Sequence, residues 1–196
     1  MKRAEQLGKT RQAILRTATR LFLQNGFSET STRDIAKQIG ITQPALYHHF
    51  SDKEVLYLEV MTNLGSRVRS DINRVIRKHD LKPAEQLWQI TELLLKYHPE
   101  SIYEQMKTAM KLLSPSSQKK MNMLIVMDYI EPIGEFFKQQ HVNLRADILP
   151  NEAAELYLAE LTPAFGTFQA IGGSAISDTD RAKLILDCIL NGLNKR

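Results

Sequence analysis

All-α is the fold class the sequence predicts, as about nine helices in two domains, and three observations carry it. Apolar residues recur three and four positions apart through most of the chain. No stretch alternates with the period of two that a half-buried strand needs, and short clusters of Pro, Gly, Ser and Asn part the helical runs. With 196 residues and 43% hydrophobic content, the chain suffices for a small N-terminal module, residues 1–52, and a larger helical domain, residues 53–196.

The first helix is expected from about Thr10 to Asn25, where Ala13, Ile14, Ala18, Leu21 and Phe22 share one face and Lys9, Arg11, Arg16 and Arg20 lie largely on others. A second should begin at Thr32, whose hydroxyl can cap free N–H groups, and bury Ile35, Ala36 and Ile39. Gly40 ends it, because glycine accepts the left-handed backbone that a helix C-terminus favours, and Ile41 plugs the resulting corner. Thr42 then caps a short third helix with Pro44 in its first turn, where a missing N–H costs nothing, ending near Phe50. Leu46 and Phe50, four apart, pack inward. Gln43, Ala45, Tyr47, His48 and His49 are left largely outward.

A long fourth helix, capped by Ser51 or Asp52 with Glu54 in its first turn, carries Val55, Leu56, Val60, Leu64, Val68, Ile72, Val75 and Ile76 and runs to about His79. Breaks at Leu81 to Pro83, His98 to Pro99, Ser114 to Ser117 and Asn143 to Pro150 define three more helices. These span about Ala84 to Tyr97, Glu100 to Leu113, and Ser117 to Gln140, the last bent at Pro132. Two further helices, Asn151 to about Ile171 and Asp178 to about Leu193, are separated by Gly172, Gly173 and Ser174.

Two short helices at a sharp angle, the second exposing glutamine, tyrosine and histidine, make a helix-turn-helix, which docks by laying its second helix in the major groove of DNA. Charge agrees with that partner. Residues 1 to 50 hold 8 Lys or Arg against 3 acids, an excess of +5, whereas residues 51 to 196 hold 18 against 19. Enzymatic signatures are absent: there is no HExxH, no glycine-rich phosphate loop and no GxSxG, and the adjacent His48 and His49 diverge by about 100° on a helix. Cys188 is the sole cysteine, so neither an intrachain disulfide nor a cysteine-based zinc cluster can form, and no cofactor is expected. No run of about 18 apolar residues exists and the N-terminus lacks a secretion signal, which predicts a cytoplasmic protein with no membrane partner.

The run Thr32, Ile35, Ala36, Gly40, Ile41, Thr42, Ala45, Leu46, Tyr47, His49, Phe50, Lys53 and Glu54 resembles the DNA-binding signature of the TetR family of bacterial repressors. The similarity extends back through AILRTATRLFLQNGFSETS to the Gly26–Phe27 corner and covers roughly the first 60 residues. It implies a DNA-binding homodimer, expected on a two-fold symmetric double-stranded DNA operator, and says almost nothing about a ligand; release by a small molecule held in the C-terminal domain is a separate expectation. Positions matching Thr32 and Arg33 contact the operator in that family. Beside these, Gln43, Pro44, Ala45 and His48 are candidates for base edges, since glutamine can pair with adenine and a methyl can touch thymine, and Tyr47, His49 and Lys53 for phosphates. The resemblance also implies that the last two helices form a dimer seam, here Leu158, Leu161, Phe165, Phe168, Leu186 and Ile189, with packing inside one chain as the alternative. Five of seven methionines fall between Met106 and Met127. Met106, Met110, Met123 and Met127, with Trp88, Tyr97 and Tyr103, are therefore expected around an apolar or aromatic ligand, although methionine at helical spacing also serves as plain core. Activation of transcription, or an architectural role without a ligand, remains the alternative use of the same DNA binding.

Overall fold

The computed structural model describes residues 2–78, 80–164 and 177–193, and every described regular element is helical. In chain order these are α1 (Lys2–Glu29), α2 (Thr32–Gln38), α3 (Gln43–Tyr47), α4 (Lys53–Ile76), α5 (Pro83–Tyr97), α6 (Ile102–Met110), α7 (Pro115–Ile125), α8 (Glu131–Phe137), α9 (Pro150–Glu160) and α10 (Asp178–Leu193). A π-helical stretch, Val126–Ile130, joins α7 to α8 without a break, so the described residues form nine helical rods. The expected all-α architecture is what the chain adopts.

Packing divides the chain into two compact units. One comprises Met1–Leu64 with Gln105–Asn122, and the other Gly65–Glu104 with Met123–Arg196. The expected boundary at residue 52 lies inside the first unit, and α4 runs uninterrupted through residues of both.

In the first unit, Ile14, Ala18 and Phe22 of α1 are buried with Ile35, Leu46, Phe50 and Leu56. Removing such side chains from water contributes roughly 1.5–3 kcal/mol each. Phe22, Phe27 and Tyr57 form an aromatic cluster with ring centroids 4.9 to 6.2 Å apart, and burial pushes the Tyr57 phenol up to about 12. The chain can turn into this cluster because Gly26 takes φ 77°, and the buried Thr30 hydroxyl closes the corner by donating to the carbonyls of Leu21 and Gly26. Glu54 accepts from the Ser114 N–H at 3.0 Å and hydroxyl at 2.5 Å. Bonds from Ser114 and Ser117 hold its carboxyl below the ordinary carboxylate range.

In the second unit, the buried rings of Tyr129, Phe136, Phe137 and Tyr157 pack α8 and the π stretch against α9. Each buried polar tip has a partner: Tyr157 Oη meets Thr91 Oγ1 at 2.7 Å, and Tyr129 Oη meets His98 Nε2 at 3.0 Å. Gln86, fully buried on α5, donates to the carbonyls of Ile76 and Lys78 and so satisfies the C-terminus of α4.

Several boundaries differ from expectation. Helix α1 starts at Lys2 rather than near Thr10, supported on its exposed face by the Lys9–Glu5 pair at 2.7 Å and by Thr10 Oγ1 donating to the Gln6 carbonyl. Helix α3 stops at Tyr47, His48 and His49 forming a turn, and α6 covers only Ile102–Met110, Gln118 taking up the carbonyls of Met110 and Leu113. Helix α4 ends at Ile76, and α5 begins one residue early, at Pro83. Before Pro132, where a bend is expected, the chain forms the π stretch: Pro132 lacks an N–H to bond the carbonyl one turn back, and the Glu131 N–H reaches Val126. Helix α9 ends at Glu160; His79 and the segment 165–176, where Phe165 and Phe168 fall, lie outside the described residues.

Candidate nucleic-acid interface

Two hydrogen-bonded devices fix the angle between α2 and α3. At the end of α2, Gly40 takes φ 72°, its N–H bonds the Lys37 carbonyl at 3.2 Å, and the Ile41 N–H bonds the Ala36 carbonyl at 3.0 Å. This is the Schellman pattern that closes a helix by way of a left-handed residue. One residue later Thr42 caps α3, its Oγ1 accepting from the Ala45 N–H at 3.3 Å, with Pro44 in the first turn as the sequence predicts. Leu46 is fully buried and Ile41 half-buried, which anchors the corner from within.

The cap of α2 requires a correction. Ser31 caps it, not Thr32: the Ser31 hydroxyl oxygen accepts from the Asp34 N–H at 3.1 Å. Thr32 is one residue further in, 6% exposed, with its hydroxyl turned toward α3. There Gln43 Nε2 donates to Thr32 Oγ1 at 2.9 Å, and Thr32 Oγ1 lies 3.0 Å from Tyr47 Oη. Gln43 and Tyr47, four residues apart on α3, are thereby joined to the start of α2.

The other candidates differ in exposure. Arg33, Pro44, Tyr47 and His48 are exposed, while Gln43, Ala45, His49 and Lys53 are half-buried. Lys53 Nζ sits 4.3 Å from the centre of the Phe27 ring and donates to the Ser28 carbonyl at 3.3 Å. Partial burial lowers its pKa, while the nearby Glu29 opposes the shift. Helix α4 is capped by Asp52, whose Oδ1 accepts from the Val55 N–H at 2.8 Å.

The residues singled out elsewhere scatter more. Met106 is buried and Met110 half-buried in the first unit, whereas Met123 and Met127, in the second, are 58% and 42% exposed. Tyr103 is exposed, and Tyr97 donates to Asp71 Oδ2 at 2.8 Å, a bond that raises its pKa. Trp88 is half-buried beneath Lys183 in an open cleft of about 570 Å³ that Leu186 and Leu190 also line. Of the expected seam, Leu158, Leu161, Leu186 and Ile189 are buried in the single chain; among the described residues of α9 and α10, Leu156 and Leu184 are the exposed large apolar side chains. Spacing alone could not separate these two sets, because both faces of α10 carry apolar residues. Among the described residues no helix is long and apolar enough to cross a membrane, and no cluster of His, Cys, Asp or Glu could hold a metal ion.

A helix-turn-helix with a polar, exposed second helix on an all-helical chain defines a class, the helix-turn-helix transcriptional regulators. Residues 14–60 match the family described as bacterial regulatory proteins, tetR family. Over those residues the chain carries the DNA-binding segment that this family of transcriptional regulators shares. It is 34% identical over 105 residues to the HTH-type transcriptional regulator AcrR of Shigella flexneri, a match covering 53% of this chain and 47% of that protein. The chain thus aligns with about half the length of that relative. It is 25% identical over 191 residues to the HTH-type transcriptional repressor AcnR of Corynebacterium diphtheriae, covering 94% of this chain and 91% of that one. Among solved structures, AibR in complex with isovaleryl coenzyme A and operator DNA superposes with a TM-score of 0.60 at 22% identity, over 93% of this chain and 97% of that one.

Proposed function

We propose that this protein is a ligand-responsive repressor that binds a two-fold symmetric operator as a homodimer and acts in the cytoplasm. The observation that carries the reading is the corner at Gly40, which holds α3 with Tyr47 and the following His48 exposed and Gln43 half-buried, while Arg33 is exposed at the start of α2. Such a surface offers donors and acceptors to a groove and cations to the flanking phosphates. Gln43, Pro44, Ala45 and His48 face base edges; Arg33, Tyr47, His49 and Lys53 meet phosphates; Thr32 stands between the two helices. The name of AcnR as a repressor supports the sense of regulation, and the AibR complex supports the pairing of operator DNA with an organic effector.

Dimerisation rests on the outer faces of α9 and α10. Leu156 and Leu184 are 48% and 54% exposed there, beside the exposed Cys188, and with Ile185 and Ile189 they line an open apolar groove of about 450 Å³. Two copies reading successive major grooves need their α3 helices roughly 34 to 36 Å apart. An apolar or aromatic effector in the second unit, where Trp88 is the leading candidate contact, is the proposed signal for release. Moving such an equilibrium from 1:99 to 99:1 requires about 5.5 kcal/mol of differential affinity.

Fluorescence anisotropy of a labelled duplex against salt concentration tests the DNA reading. Replacing Arg33, Tyr47 or Lys53 with alanine should weaken binding on every sequence and reduce the slope of log affinity against log salt by about 1 for each lost phosphate contact. An unchanged slope in all three variants would remove the proposed interface.

A further inference from the structure

We infer that Thr32 is a positioning residue for base recognition: from beneath α3 it holds the Gln43 carboxamide by its nitrogen end, so that the glutamine carbonyl is the atom offered to the groove. This rests on the reading of α3 as a recognition helix and specifies what that helix reads.

The geometry is a three-member chain. Gln43 Nε2 donates to Thr32 Oγ1 at 2.9 Å and lies 3.4 Å from Tyr47 Oη, while the Thr32 and Tyr47 oxygens are 3.0 Å apart. A hydroxyl has one proton and two acceptor sites. With one acceptor site taken by Gln43, Thr32 meets Tyr47 through its second acceptor site or its own proton, either hydroxyl serving as donor. Thr32 is 6% exposed, which limits competition from water at its hydroxyl. With its nitrogen committed to Thr32, Gln43 presents its carbonyl as an acceptor.

An unrestrained glutamine can rotate its carboxamide by half a turn and serve either kind of base edge. Pinned by its nitrogen, Gln43 favours a base with an amino group in the major groove, adenine through N6 or cytosine through N4, over guanine and thymine, whose facing oxygens would meet the carbonyl. Thr32 touches no base in this scheme. It acts on specificity through Gln43 alone.

The test uses the full chain and the duplex it selects from random sequence, with the base facing Gln43 changed in both half-sites to each alternative. Wild type should favour the amino bases over guanine and thymine by about tenfold. Thr32→Val, close in shape but lacking the acceptor, should bring that preference to within about twofold, and Thr32→Ser, which restores the hydroxyl, should recover it. A Thr32→Val protein that keeps the wild-type preference overturns the inference and leaves the DNA reading standing; a wild-type chain that selects no duplex overturns both. Should Thr32→Val not hold its fold, the Gln43 side-chain amide protons of the wild type decide the matter. Exchange with solvent several times slower than at the exposed Gln12 supports the restraint, and exchange as fast as at Gln12 overturns it.

Discussion

Buried polar side chains show how far one residue can be read alone. His98 is 1% exposed, bonded to Tyr129, and burial pushes its pKa down to about 3. Above the unfolded value of about 6.5 the ring is neutral in both states and has no effect on stability. As pH falls below that value the unfolded chain takes up a proton that the folded chain refuses. The lost stability grows by about 1.4 kcal/mol per pH unit until the folded pKa is reached. Urea unfolding at pH 7.5 and 5.5 should show wild type losing about 1.4 kcal/mol more than His98→Gln. Equal losses would mean that the ring is already solvated in the native state. Asp128, which burial raises and Arg69 at 3.2 Å lowers, is common to both proteins and cancels in the comparison. At this scale the sequence was legible where backbone chemistry is local: Gly40, Thr42 and Pro44 each do what their residue types dictate. It was not legible at Thr32. A serine and two threonines in succession all satisfy a capping preference, and only the packing of α2 on α3 shows that Ser31 caps while Thr32 turns inward.

Helices were legible as elements because their apolar spacing is intrinsic, but their ends depend on contacts distant in sequence. The last carbonyl of α6, that of Met110, is taken up by Gln118, and the end of α4 is satisfied by Gln86 from α5. Two glycines inside helices separate propensity from packing. Gly8 on the exposed side of α1 has open space where a Cβ would stand, whereas a Cβ on Gly65 of α4 would lie 2.5 Å from Asp128 Oδ2 and 2.9 Å from its Cβ. Alanine is the better helix former by about 0.5–1 kcal/mol, so Gly8→Ala should raise stability by about that amount. Gly65→Ala should instead lower it by about 1–3 kcal/mol, since overpacking against the π stretch outweighs propensity. Thermal melts of the two variants check this, and stabilisation by both would mean that the contact between α4 and the π stretch is loose.

Across the whole molecule, the asymmetry of charge and the helix-turn-helix pattern were enough to indicate DNA, because docking on a polyanion uses side chains that one short segment supplies. The effector site and the dimer surface were less legible, since any amphipathic helix buries apolar residues and the pattern does not say against what. Leu158, Leu161, Leu186 and Ile189 went to the chain's own core and left Leu156 and Leu184 outside. The account therefore turns on whether two copies present α3 to one duplex. Selection of sites from random duplex DNA by the full chain measures that directly. We expect an inverted repeat with half-site centres about 10 base pairs, or a multiple of that, apart. An enriched pool without two-fold symmetry, or no enrichment, would contradict it.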